Sequence, residues 1–139
     1  MSSPAPHHAQ SAPPRVPGRT LVVRGVLALL LGATVGVIGT VSHRGEWAGL
    51  PTGLALALLL TLSTAVLCRA WSGTVTLLTA GAGWLVAVQL LSASGPGGDV
   101  LVPAQAVGYL WTYGGLLIFA VAAFLPRWWF AEDGSEQQP

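Results

Sequence analysis

Four long apolar runs separated by short polar or loop-forming stretches dominate the chain: Gly25 to Val41, Leu54 to Cys68, Thr74 to Leu91 and Val107 to Leu125. A helix of about 20 residues crosses the roughly 30 Å hydrocarbon core of a bilayer, and each run is close to that length. The first gains Leu21 to Val23 if Arg24 carries its guanidinium back to headgroup level on its apolar stem. Pro51 precedes the second run, suited to a first helical turn in which its missing N–H has no partner to lose. The third lies between "RAWSG" and "SASGPGG", and the fourth stops at Pro126 and Arg127. Spans are expected at about 21–42, 52–69, 72–92 and 107–126. Short connections make sequence neighbours antiparallel. The pattern therefore predicts an all-α polytopic membrane protein, with four transmembrane helices packed as two antiparallel hairpins within residues 21–130.

The flanks read differently. Residues 1–20 are rich in Pro, Ser and Ala and too polar to bury a face, which predicts a disordered tail; 131–139 form a second, short and acidic one. His7 and His8 are adjacent imidazoles without the further ligands a metal site needs. No A-x-A cleavage site follows the first run in "GTVSHRGEW", so it is expected to remain as a span rather than to be removed as a signal peptide.

Composition changes the picture only by confirming the solvent. Apolar residues make up 53% of the 139 residues, charged residues 8%, and the mean hydropathy is +0.66. A soluble domain carries roughly 25% charged residues. The net charge of +1 provides no basic face for nucleic acid, and the single Cys68 has no internal disulfide partner. Arg15, Arg19, Arg24, Arg69 and Arg127 fall on one side of the expected topology and Arg44 alone on the other. Positive charge marks the cytoplasmic side, which predicts both termini inside a bacterial plasma membrane. Trp47, Tyr109, Trp111 and Tyr113 then belong to an outer aromatic belt, and Trp71, Trp128, Trp129 and Phe130 to an inner one. Trp84 lies mid-span, where contact with another helix explains it better.

Lipid weakens the hydrophobic drive between helices, so small residues that let backbones approach carry the association. Ala28, Gly32, Gly36 and Thr40 recur at four-residue intervals in the first run, and Gly53, Ala57, Thr61 and Ala65 do so in the second. The two stripes predict a close crossing of spans one and two. Gly108 and Gly115, two turns apart, give the fourth span a similar face.

Candidate chemistry is sparse. No acid, base or histidine lies within a span core, and Gln89 is the sole amide there. An intramembrane charge costs about 2.5 to 3.5 kcal/mol on insertion scales and is kept chiefly where it couples an ion or proton. Its absence argues against a proton-coupled pump. "GPGGD" lacks the lysine and the strand-to-helix context of a phosphate-binding loop. The outer face retains His43, Arg44, Glu46 and Asp99 as candidate contacts, with Arg44 and Asp99 able to pair between loops. No catalytic residue, cofactor or metal site is expected.

The glycine-aspartate after a glycine-rich turn, the apolar "VLVP" and the "GYLWTYGG" that opens the last span resemble a group of small actinobacterial integral membrane proteins of unknown function. That resemblance covers about residues 24–126 and implies a four-helix membrane protein, with no activity attached. The halves also resemble each other, each a hairpin with a glycine-rich loop carrying an acid, an arrangement known from transporter repeats. The sequence favours a non-enzymatic structural or accessory subunit, partnered by the bilayer and by a membrane protein or a further copy of itself. A small oligomeric transporter lined by Thr34, Thr40, Thr61, Thr79 and Gln89 is the alternative, and an outer-face enzyme using His43, Glu46 and Asp99 a lower one.

Overall fold

The apolar runs become four α-helices: α1 (Gly18–Ser42), α2 (Thr52–Ser72), α3 (Thr74–Ser92) and α4 (Ala106–Phe124). They are seen in a computed structural model that describes residues 18–93 and 106–126. Each helix is long and apolar enough to cross a membrane. Among the described residues there is no strand, only an isolated bridge between Trp47 and Leu50. α1 begins at Gly18, ahead of the expected Leu21, and Arg24 therefore lies two turns inside it.

The two described connections are tight. Gly73 alone separates α2 from α3, at φ 79° and ψ −147°, a backbone region essentially restricted to glycine. Its N–H donates to the Arg69 carbonyl at 3.1 Å, and the Thr76 hydroxyl reaches the Cys68 carbonyl at 2.7 Å, so the corner is tied on both sides. Pro51 lies just before α2 rather than in its first turn. Between α1 and α2, Trp47 and Leu50 exchange both backbone hydrogen bonds, at 3.1 and 3.0 Å, around Ala48 and Gly49. Both turn residues have positive φ, 53° and 76°, the pairing required by a two-residue type I′ turn.

The principal helix contact joins α1 to α3, not α1 to α2. A methyl group added at Gly32 would overlap the Ala80 carbonyl, and one at Gly83 would overlap the Leu29 carbonyl. At Gly36 it would lie 2.9 Å from the Trp84 carbonyl. The stripe expected to cross span two instead meets Ala80, Gly83 and Ala87, a small-residue row on α3. Span two also packs on α1, and at the end of α1 Gly53 abuts the Ser42 carbonyl and donates its N–H to Gly45 O at 2.8 Å. Ala57, Thr61 and Ala65 are buried in the same interior. α2 also packs on α3 and α4, so α2 and α3 form the centre, with α1 and α4 flanking them.

Candidate functional site

The interior is an aromatic column. Trp84 and Trp111 are fully buried, their rings edge to face at 5.3 Å, and Phe119 continues the column 5.9 Å from Trp84. Glycines make the room: a side chain at Gly39 would strike the Trp111 indole, and one at Gly115 the Trp84 indole. The spacing of Gly108, Trp111, Gly115, Phe119 and Ala122, in steps of three or four, places all five on the buried face of α4. Tyr109 and Tyr113, four apart on another face, stack on each other at 6.2 Å and are exposed. Of the expected outer belt, Trp111 is therefore withdrawn into the core, because its position on the helix turns it inward with the glycines.

Above the column is His43, only 1% exposed, stacked on Trp111 with ring centroids 6.1 Å apart. Its Nδ1 lies 2.6 Å from the Thr40 carbonyl. A carbonyl can only accept, so Nδ1 carries the proton of that bond. Trp111 Nε1 donates to the Thr40 hydroxyl at 3.2 Å. His43 was expected at the outer face beside Arg44 and Glu46; the structure buries it, while those two remain exposed in the loop. Stacking and a local hydrogen bond explain the burial, since they satisfy the ring's N–H and its flat surface together. Asp99 lies outside the described residues, as do the whole "GPGGDVLVP" segment and the Arg44–Asp99 pairing.

At the opposite end Arg69 is buried, 8% exposed, although a span-ending arginine would be expected in solvent. α2 continues one turn beyond it. The guanidinium donates to the Thr74 hydroxyl and, at 2.9 Å, to the Leu125 carbonyl past the end of α4. It thereby ties the end of α2 to the start of α3 through a hydroxyl, and to the end of α4 through a carbonyl of the kind a helix C-terminus leaves open. Arg24 of α1 donates to the Ser72 hydroxyl at 3.2 Å nearby. Sequence reasoning missed the Arg69 clamp, and no local signal points from Arg69 to a carbonyl 56 residues away.

The polar residues suggested as a pathway do not line one inside the chain. Thr61 and Thr79 donate to carbonyls of their own helices, Ala57 and Val75, and Thr40 is engaged by Trp111. Thr34, bonded to Leu30 O, and Gln89 are exposed on the outside of the bundle. Gly32, Gly36, Gly53, Gly108 and Gly115 are all buried. Among the described residues no three His, Cys, Asp or Glu side chains gather as metal ligands. The buried Trp84 Nε1 and Arg69 Nε have no hydrogen-bond partner among them either. The arrangement is thus a filled interior with polar clamps at both ends.

A family of unknown function, DUF6113, matches residues 8–131. No curated protein and no solved structure matches the chain.

Proposed function

The chain belongs to the DUF6113 family, and from that premise we propose that it is a multi-pass plasma-membrane protein acting as a non-enzymatic accessory subunit of a membrane complex. Both termini are assigned to the cytoplasm, by the five-to-one arginine bias. The two hairpins of the topology interlock through the α1–α3 crossing.

The observation that carries the reading is the filled core together with the outward Gln89. Trp84, Trp111 and Phe119 occupy the centre of the bundle, where a carrier or a channel within one chain needs polar lining. Gln89, the sole amide of the spans, is directed away from that centre between the exposed Val86 and Leu90. An amide in an apolar surround gains from a partner helix that supplies hydrogen bonds, a contribution of about 0.6 to 2 kcal/mol. The α3 face of Leu78, Val86, Gln89 and Leu90 is the assigned contact.

The test is native mass spectrometry of the protein extracted from its own host with lipids retained, compared with Gln89→Leu. A second polypeptide at fixed stoichiometry, lost in the variant without loss of thermal stability, supports the accessory role. A homo-oligomer without a second polypeptide, with flux that depends on Gln89, replaces it with the transporter alternative.

A further inference from the structure

α1 overhangs its neighbour at the Gly73 end of the bundle. The Arg24 to Ser72 hydrogen bond sets Arg24 level with the last residue of α2, so Gly18 to Val23 project about 9 Å further at 1.5 Å per residue. In the angle between this projection and Trp71 lies a cleft of about 370 Å³, lined by Arg19, Thr20, Val23, Arg24, Leu27 and Trp71. Five of these six lie on one face of α1, at positions i, i+1, i+4, i+5 and i+8. The cleft has two kinds of wall. Arg19, Arg24 and Thr20 supply N–H and O–H donors, and Val23, Leu27 and Trp71 supply an apolar surface continuous with the side of the helix.

Neither guanidinium has a carboxylate partner among the described residues, whose sole acid, Glu46, lies past the other end of α1. Arg24 is held in place by Ser72, a bond that occupies one of its five N–H donors. Paired guanidiniums recognise a phosphate by charge and by their planar fork of donors. A free inorganic anion would use the arginines but leave the apolar wall without a function. An amphiphile uses both. The apolar cleft of about 190 Å³ between α2 and α4, lined by Leu62, Leu117, Ile118, Val121, Ala122 and Leu125, offers no such donors.

We propose that the Arg19–Arg24–Trp71 cleft binds one anionic phospholipid, with its phosphate on Arg19 and Arg24 and an acyl chain along Val23, Leu27 and Trp71. The site rests on the reading of the four helices as membrane spans, and it adds a specific lipid to the partners of the protein. The phosphate then sits where the overhang of α1 meets the headgroup layer, and the lipid fills the angle between α1 and the end of α2.

The full-length protein, purified in a non-ionic detergent, is titrated with phosphatidylglycerol and with phosphatidylcholine of the same chain length and read by native mass spectrometry. One bound phosphatidylglycerol is expected at about tenfold or more lower concentration than phosphatidylcholine, as two arginines near an anionic headgroup allow. Arg19→Gln combined with Arg24→Gln is expected to bring the two lipids level. Arg19→Gln alone, at an exposed position, should remove part of the preference even if the double variant folds poorly. Equal retention of both lipids by the unaltered protein overturns the site, as does a preference that is undiminished in the Arg19→Gln variant. Displacement of the lipid by equimolar inorganic phosphate assigns the arginines to a free anion instead. Retention that arises only after neutralising Glu132, Asp133 and Glu136 assigns the cleft to the acidic tail of the chain and overturns the proposal too. A protein that dissolves without detergent would sink the membrane reading itself, a result distinct from a detergent-dependent protein without lipid preference.

Discussion

At the level of single residues, glycine does opposite things at two positions of one helix. Gly32 faces the Ala80 backbone with no room for a methyl group, whereas Gly25 has open space where its side chain would be. A backbone carbonyl cannot rotate aside as a side-chain tip can, so Gly32→Ala must push α1 from α3. The expected cost is about 1 to 3 kcal/mol, the usual range for overpacking. Gly25→Ala should leave stability within about 0.5 kcal/mol, as for a surface position. Thermal unfolding of both variants in the same detergent checks this, and an equal loss in the two would show that the α1–α3 contact is looser than its geometry indicates. Trp84 marks the other extreme of the same logic. Its indole N–H is buried without an acceptor among the described residues, a cost of about 1 to 3 kcal/mol. The Trp111 and Phe119 rings and the space made at Gly115 are what offset that cost.

Helices were legible as elements because membrane-length apolar runs leave little choice of conformation: a chain in lipid must satisfy its backbone internally. Which helix each one meets was far less legible. Ala28, Gly32, Gly36 and Thr40 announce a face that tolerates close approach, but a row of small residues carries no address. It would fit α2 or α3 equally on spacing alone, and the α3 row of Ala80, Gly83 and Ala87 is interrupted by the bulky Trp84. His43 and Trp111 were misplaced for a related reason. Polar and aromatic residues near a span end suit the interface in general, and only the three-and-four spacing with Gly108 and Gly115 turns Trp111 inward. Asp99, which the sequence singled out, lies beyond the described residues. Of the two described connections between helices, the Gly73 corner is the more demanding. An alanine there must occupy φ 79° and ψ −147° or open the corner, and Gly73→Ala should cost about 1 to 3 kcal/mol. Hydrogen exchange on that variant should rise first at Thr74 to Leu77, with helix interiors following only if the bundle unravels.

For the molecule as a whole, the arginine bias predicts which face meets the cytoplasm. Glu46 is exposed in the loop between α1 and α2, and the native Cys68 is buried, so a cysteine introduced at position 46 reports with little background. Glu46→Cys should react with a membrane-impermeant maleimide in intact cells. Ser135→Cys in the C-terminal tail should react only after permeabilisation. The reverse pattern would invert the topology and move the arginine-lined cleft to the outer leaflet.

The single-residue corner has a consequence for how the protein is made. Where two spans are separated by a long loop, the ribosome can deliver the first to the bilayer and leave it there before the second arrives. One residue at Gly73 offers no such slack. α2 has nowhere to settle until α3 has emerged, so the pair is expected to enter the lipid together, as a prefolded unit already joined at its tip. α1 must then wait as a lone helix with its glycine row uncovered until its true counterpart, the later half of that unit, slides in beside it.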